Sequence, residues 1–371
     1  MGASLGFIPG FLATVLSEDL DVSRGKIGLI VGIYFGATGI GSIPAGRFTD
    51  KFGARNIATI NMLLVAGASL LIAIFETYTM WIAGSVVGGM GYALGNTSTN
   101  VAIGHTVPLE RRTLAMSVKT SGVPLMATIA AATAPWAANV WSWQRVLVFN
   151  AVVAAITGLF TYLVLDDDRS ESTRGAAPTP LPKDFYWFGI AAFLLIGGSQ
   201  PLYSWTVSYL EESLDAPASL SGGIMAIASF TGVIVMICNG VWADRLGALK
   251  RIPLVMLLLS VSAFSVCLVI LGTVIGTFIV VIGLTLGVST QLAAIGTMHA
   301  AVIDKAPKSV GRATGITMTG YYLGALVTPA GFGLLVDISD TYIYSWLATL
   351  AILITAVGAW YRAGKIQGQR D

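Results

Sequence analysis

Long apolar stretches dominate the chain, and charged residues separate them. Eleven stretches contain no Asp, Glu, Lys or Arg, and they cover residues 2–17, 27–46, 56–75, 77–109, 120–144, 146–165, 185–210, 216–243, 252–303, 313–336 and 341–361. A helix needs about 20 apolar residues to cross a bilayer, so nearly all of these stretches predict a transmembrane span. The stretch at 252–303 is too long for one crossing, and the glycines between Gly272 and Gly276 predict a turn that divides it. The pattern therefore predicts an all-α membrane protein with twelve spans.

The composition agrees with this class and excludes others. Hydrophobic residues make up 55% of the 371 positions and charged residues only 11%, whereas a soluble domain has about 25% charged residues. This excludes a soluble enzyme, and no nucleophile motif, metal cluster or phosphate-binding loop is recognisable. Cys238 and Cys267 both lie inside apolar stretches, so we expect neither disulfides nor a zinc site. We expect no cofactor, and the net charge of +2 gives no reason to expect a nucleic acid as partner.

The basic residues predict which side of the membrane each loop faces. If both termini are cytoplasmic, 17 of the 21 Lys and Arg residues lie in inner segments, and only Arg24, Lys26 and Arg145 lie in outer segments. This bias predicts a multi-pass protein of the cell membrane with cytoplasmic termini. The stretch at 2–17 would give roughly 24 Å of helix against a hydrocarbon layer of ~30 Å. We therefore expect a shortened first helix, whose start is misassigned or truncated.

A polar segment and a repeat divide the chain into halves. Residues 166–184 are polar and proline-containing, so they predict a cytoplasmic linker between six-helix bundles at 1–165 and 185–371. Five pairs recur at an offset of 194 residues: Gly46 and Gly240, Asp50 and Asp244, Gly53 and Gly247, His105 and His299, and Pro135 and Pro329. This offset indicates an internal duplication. Each half has an even number of spans, so both copies are expected to have the same orientation in the membrane.

The loop between spans 2 and 3 has the most specific motif. It reads Gly46-Arg47-Phe48-Thr49-Asp50-Lys51-Phe52-Gly53-Ala54-Arg55, and the second copy reads Gly240-Val241-Trp242-Ala243-Asp244-Arg245-Leu246-Gly247. With twelve spans and a central linker, this pattern resembles the major facilitator superfamily, whose loop motif is G-x-L-x-D-R-x-G-R-R. The resemblance implies two six-helix bundles around a central site that opens alternately to each side. It also implies that Asp50 approaches the start of span 11, near Ser309, where unpaired amides favour an anion.

We accordingly predict a gating role for residues of both motif copies. They are Gly46, Asp50, Gly53, Arg55, Gly240, Asp244, Arg245 and Gly247. The glycines permit a tight turn and close helix contact. The alternative is that Asp50 is a solvated loop charge that serves topology only.

Two departures from the family pattern concern proton coupling. Ser85 occupies the position at which many proton-coupled members have an arginine in span 4. All 19 carboxylates can be placed in loops or at helix ends, so no Asp or Glu is predicted at the mid-membrane position of a proton relay. The coupling ion stays open between H⁺ and Na⁺.

Lys119 is the one basic residue that falls inside a predicted span. It follows Arg112 by seven residues, which is roughly 10 Å of helix rise. An ammonium at that depth costs on the order of a few kcal/mol, which makes Lys119 a functional candidate. The alternative is that its stem extends to the inner interface. Because no carboxylate is predicted at this depth, we expect the partner of Lys119 to be a small organic anion, most simply a carboxylate.

The residues around Lys119 carry a narrower resemblance. The run Lys119-Thr120-Ser121-Gly122-Val123-Pro124-Leu125 is similar to span 5 of bacterial cyanate and organic-anion permeases. Polar residues on other spans are candidates for hydrogen bonds to the same substrate: Tyr34, Asn96, Asn100, Gln200, Tyr203, Gln291, Tyr321 and Tyr322. For each of them, a hydrogen bond to a neighbouring helix is the structural alternative. His105 and His299 lack Cys or carboxylate partners for zinc, so we assign them to a scaffold or gate and predict no metal site.

The sequence thus predicts a secondary transporter that moves a small organic anion by alternating access, as a monomer in the lipid bilayer. Export of drugs or amphipathic compounds is the alternative. It rests on the run Ala130-Ala131-Ala132-Thr133-Ala134-Pro135-Trp136-Ala137-Ala138, which resembles the antiporter motif of the family with alanine in place of glycine. A membrane sensor that does not transport is a third hypothesis.

Overall fold

Helices account for all regular structure in the described part of the chain. The computed structural model describes residues 2–22, 24–165 and 180–366, without the side chains of residues 11, 13, 14, 24, 25, 127–136, 139, 218 and 219. Most of the predicted linker at 166–184 therefore lies outside the described residues. The α-helices are α1 (Ser4–Phe11), α2 (Ala13–Asp19), α3 (Arg24–Phe52), α4 (Ala54–Phe75), α5 (Tyr78–Thr106), α6 (Arg112–Val140), α7 (Trp143–Val164), α8 (Tyr186–Ser204), α9 (Thr206–Leu214), α10 (Ala218–Leu246), α11 (Ala248–Ile275), α12 (Thr277–Lys305), α13 (Val310–Ser339) and α14 (Ile343–Gly364). Short 3-10 turns at Leu109–Arg111 and Pro307–Ser309 precede α6 and α13.

The helices have the lengths that a membrane protein requires. Within the described ranges, eight helices are long and apolar enough to cross a bilayer, namely α3, α4, α7 and α10 to α14. The predicted all-α class is confirmed, while the count of twelve crossings stays a prediction.

Two predicted spans are each broken into shorter helices. The first consists of α1 and α2, which meet at Leu12, so no long helix fills the shortened first stretch. The other consists of α8 and α9, which meet at Trp205, four residues after Pro201.

Glycines with positive φ make the tight turns between consecutive long helices. Gly53 separates α3 from α4 and Gly247 separates α10 from α11, and both have φ of 83°. Gly276, with φ of 144°, separates α11 from α12 and confirms the predicted division of the longest apolar stretch. Residues with a side chain adopt such angles only at a cost, whereas glycine adopts them readily.

The chain forms two compact units, which we call the first and the second unit. The first contains Met1–Thr106, Gly122–Pro180 and Lys308–Thr319, and the second contains Val107–Ser121, Leu181–Pro307 and Gly320–Asp371. Each unit thus includes the beginning of one long helix, α13 or α6, whose remainder is assigned to the other unit. Bundle domains at 1–165 and 185–371 stay a prediction.

Candidate functional site

The carboxylate of Asp50, near the end of α3, caps the start of α13. The amide of Gly311 donates to Oδ1 at 2.9 Å and the amide of Arg312 donates to Oδ2 at 3.0 Å. These amides belong to the first turn of the helix, where no carbonyl of the helix itself can accept from them. The positive end of the helix dipole further favours an anion there. The structure therefore contains the contact that the family resemblance implies for Asp50, and the gating role of Asp50 stays a prediction.

Gly46, one helical turn before Asp50, makes the close approach of the two helices possible. A Cβ atom at Gly46 would collide with the carbonyl oxygen of Gly311. A Cβ atom at Gly311 would likewise collide with the carbonyl oxygen of Gly46 and with the Asp50 carboxylate. Because backbone atoms cannot rotate away, the cap requires glycine on both helices.

The second motif copy repeats this arrangement in the second unit. Asp244, near the end of α10, accepts hydrogen bonds from the amides of Thr113 and Leu114, both at 2.9 Å, in the first turn of α6. A Cβ atom at Gly240, again one turn before the aspartate, would lie 2.8 Å from Ser117 Oγ and 3.0 Å from Leu114 Cα. Two of the pairs found at the offset of 194 residues, Gly46 with Gly240 and Asp50 with Asp244, thus make equivalent contacts.

A buried ion-pair network surrounds Asp244. The guanidinium of Arg251, on α11, is fully buried and lies 2.8 Å from Asp244 Oδ1 and 2.5 Å from Asp304 Oδ2. Arg251 also donates to the Leu109 carbonyl at 2.5 Å, and Arg112 pairs with the other oxygen of Asp304 at 2.7 Å. Two carboxylates and two guanidinium groups therefore connect α10, α11 and α12 to the start of α6.

Sequence reasoning missed this network. It assigned Arg112 and Arg251 to the positive-inside bias and treated Asp304 as a carboxylate at a helix end. A signal was present, because Asp304 lies five residues before Ser309, the expected start of span 11, and on the same predicted side of the membrane as Arg251. Only the packing of α11 against α12 shows that the two side chains meet.

The remaining predicted gating residues have different surroundings. The guanidinium of Arg55 lies over the ring of Tyr162, 4.0 Å from its centroid. The side chain of Arg245 is exposed. Gly53 and Gly247 make the two equivalent turns described above.

Lys119 is half-buried on α6 in the second unit. It lies near enough to His299 of α12 for an electrostatic interaction between the two side chains. The packing of the two helices explains this neighbourhood, since a Cβ atom at Gly296, one turn before His299, would lie 3.0 Å from Ser117 Cα. His299 is 5% exposed, whereas its sequence counterpart His105 is exposed, so the two histidines have unlike environments.

Three candidate substrate residues lie in the first unit, and all are buried. They are Tyr34, Asn96 and Asn100. The hydroxyl of Tyr34 donates to the carbonyl of Gly2 at 2.7 Å, and its ring stacks on Tyr92 with centroids 6.1 Å apart. These contacts favour the structural alternative for Tyr34, a link between helices.

The other candidate substrate residues lie in the second unit. Gln291, which is buried, donates from Nε2 to Oε1 of Gln200 at 3.5 Å, so the structure brings these two amides together. Tyr321 and Tyr322 pack edge to face with centroids 5.3 Å apart, and Tyr322 is buried. Tyr203 is exposed. Most of the antiporter-like run at 130–138 falls on residues whose side chains lie outside the described part of the chain, so the alternative of drug export stays a prediction.

Comparison with known proteins identifies relatives and a shared fold. A sequence profile described as Major Facilitator Superfamily matches residues 1–329. The gentisate transporter of Corynebacterium glutamicum is 26% identical, with 88% of this chain and 76% of that protein covered. The 4-hydroxybenzoate transporter PcaK of Acinetobacter baylyi is 21% identical over 43% of this chain and 35% of that protein. A solved structure of the proton:xylose symporter XylE superimposes with a TM-score of 0.77 over 97% of this chain and 93% of the other, at 12% identity.

Proposed function

Because this chain belongs to the Major Facilitator Superfamily, we propose that it is a secondary transporter that moves a small organic anion, most simply a carboxylate, across the cell membrane. The names of its relatives support this substrate class, since gentisate and 4-hydroxybenzoate are both carboxylates. Both termini are assigned to the cytoplasm by the positive-inside bias. The coupling ion, H⁺ or Na⁺, is left open.

The position of Lys119 carries the proposal. Lys119 lies on α6, in a span that the sequence predicts, and the residue is only half-buried, which leaves part of it accessible to a ligand. Placing a cation there is costly, and an anion that binds beside it lowers that cost. The neighbouring imidazole of His299 offers a further polar group to a carboxylate. Lys119 is therefore assigned as the residue that attracts the substrate charge.

Gating is assigned to the two aspartate caps. Each cap holds the first turn of a long helix through two hydrogen bonds to a carboxylate, and such bonds contribute about 1.5–3 kcal/mol each when one partner is charged. Releasing one cap is therefore a step of moderate cost, suitable for a conformational change that substrate binding drives. Alternating access follows if the caps open while the substrate site faces the cytoplasm and close while it faces outward.

The test is uptake into proteoliposomes that contain the purified protein. Gentisate, 4-hydroxybenzoate and an uncharged aromatic alcohol of similar size would be compared as labelled substrates. We expect saturable uptake of at least one acid, and we expect Lys119→Gln to weaken its apparent affinity roughly 10- to 100-fold through loss of a charged hydrogen-bond donor. Lys119→Arg should retain part of the uptake.

Lys183→Gln is the matched control, because Lys183 is an exposed lysine outside the helices. It should transport like the unaltered protein. Unchanged uptake by Lys119→Gln would refute the role of Lys119. Transport of the uncharged compound in preference to the acids would refute the proposal that the substrate is an organic anion, and it would favour export of amphipathic compounds.

A further inference from the structure

A crevice of about 520 Å³ lies in the second unit where α11 begins and where α12 and α14 end. Its wall is largely apolar and includes Ile252, Met256 and Ala301. At its edge, Leu249 is 93% exposed, although it belongs to an apolar helix. An apolar wall that continues into an exposed leucine suits a hydrocarbon chain better than water.

Two lysines stand at the polar end of this crevice. Lys305 donates from Nζ to the carbonyls of Gly364 at 3.0 Å and Ile366 at 2.6 Å. An ammonium has three donors, so these two carbonyls leave capacity for one more acceptor. Lys365 is exposed, with its Nζ 4.4 Å from the ring centroid of Tyr361, which also lines the crevice.

The acidic residue of the crevice does not cancel this positive charge. Asp304 lines the same space, but its two oxygens pair with Arg112 and Arg251. Its charge is therefore already balanced within the protein. The charged side chains of this crevice that are left to act on a ligand are the two lysines.

We infer that this crevice binds an anionic phospholipid of the cytoplasmic leaflet. The phosphate lies against Lys305 and Lys365, and an acyl chain runs along Leu249, Ile252 and Met256. The basic residues at these helix ends belong to the side that the positive-inside rule assigns to the cytoplasm, where anionic lipids attract clusters of Lys and Arg. A small soluble anion would use the lysines but would gain nothing from the apolar wall.

Native mass spectrometry of the full chain, released from detergent micelles, tests this site. The protein would be titrated with dioleoyl phosphatidylglycerol or with dioleoyl phosphatidylcholine, which has the same acyl chains but no net charge. We expect one tightly retained phosphatidylglycerol per chain and at least tenfold weaker retention of phosphatidylcholine. Lys365→Gln should weaken phosphatidylglycerol binding about fivefold, as expected for one lysine at an anionic surface.

Two further variants separate the lysines from the wall. Met256→Trp fills the crevice and should abolish the retained lipid, while a single monodisperse peak in size-exclusion chromatography shows that the variant is folded. Lys51→Gln is the control, because Lys51 is also an exposed lysine over an aromatic ring, that of Phe52, but belongs to the first unit. It should bind like the unaltered protein.

Three outcomes would overturn the inference. They are equal retention of the two lipids, equal binding by Lys365→Gln and Lys51→Gln, and full displacement of phosphatidylglycerol by millimolar inorganic phosphate. The last outcome would mean that the lysines bind phosphate without regard to the apolar wall. None of these outcomes depends on transport, so the proposed transport function is tested separately.

Discussion

Asp50 and Asp244 accept the same pair of amide hydrogen bonds from the start of a long helix, and their surroundings differ. The side chain of Asp244 is 6% exposed and lies against the buried guanidinium of Arg251. At the offset of 194 residues, the counterpart of Arg251 is Ile57, a buried aliphatic residue that cannot form an ion pair. The counterpart of Asp304 is Glu110, which is exposed. The duplicated motif has thus kept the cap in both copies, while the residues that surround it have diverged.

This difference indicates how firmly each cap is held. Removing one partner from a buried ion pair leaves an uncompensated charge and costs roughly 3–5 kcal/mol. The Asp244 cap is connected to such pairs, whereas the Asp50 cap consists of charge-assisted hydrogen bonds to backbone amides, with Arg312 and His105 as charged neighbours. We therefore expect the Asp50 cap to release first during a transport cycle and the Asp244 cap to stay closed longer.

The largest expected effect is that of Arg251→Leu. Loss of the guanidinium leaves Asp244 and one oxygen of Asp304 without their closest ion-pair partner, so the free energy of unfolding should fall by roughly 3–5 kcal/mol. Thermal unfolding in detergent, followed by tryptophan fluorescence, would measure the change. Arg55→Leu is the control from the first copy, where a cation over the Tyr162 ring contributes only about 1 kcal/mol. Equal losses in the two variants would contradict the comparison.

Substitution of the paired glycines should have an intermediate effect. Gly46→Ala forces a methyl group against a backbone oxygen, so we expect a loss of roughly 1–3 kcal/mol and slower uptake. In Gly240→Ala the added methyl group lies nearest the hydroxyl of Ser117, which can rotate away. The loss of stability in this variant should therefore be smaller than in Gly46→Ala. Thermal unfolding in detergent, followed by tryptophan fluorescence, would compare the stabilities of the two variants.

Gly67→Ala is the reference for the glycine pair, because nothing lies within 4 Å of its added methyl group. In the middle of α4 it should raise stability by about 0.5–1 kcal/mol. A larger loss for Gly240→Ala than for Gly46→Ala would reverse the proposed difference between the copies.

The smallest expected effect concerns local opening at the caps. In Asp50→Ala, the amides of Gly311 and Arg312 lose their acceptor, and the hydrogen exchange of each should become at least roughly tenfold faster, as for the loss of one charge-assisted bond of about 1.5 kcal/mol or more. In Asp244→Ala, the hydrogen exchange of the amides of Thr113 and Leu114 should accelerate less. The bonds from Arg112 to Asp304 and from Arg251 to Leu109 still hold this segment.

Exchange mass spectrometry on peptides from both helix starts would measure this difference. Peptides from the middle of α4 serve as an internal reference, because neither cap contacts them. Faster exchange at the start of α6 than at the start of α13 would show that the network adds nothing to the cap.

The Asp50 cap was expected because the motif around Asp50 resembles that of the major facilitator superfamily, and the resemblance implies this contact. A glycine one turn before an aspartate, a glycine at the turn, and the expected start of a helix near Ser309 are all legible in the chain. The environment of the two histidines was not predictable, because a symmetric pair in sequence gives no information about burial. His105 is exposed and His299 is buried beside Lys119. The structural alternative for Tyr34, a hydrogen bond to a neighbouring segment instead of to substrate, fits its hydrogen bond to Gly2, which lies just before α1.

The order of residues by itself determined the membrane class, the helix boundaries at Gly53, Gly247 and Gly276, and the duplication, since these depend on hydropathy and backbone preferences over short distances. Only the tertiary structure decided that Arg251 meets Asp244 and Asp304. The physical reason is that an ion pair depends on which faces of separate helices pack together. A charge at the end of a span has the same appearance in sequence whether it faces water or a buried partner.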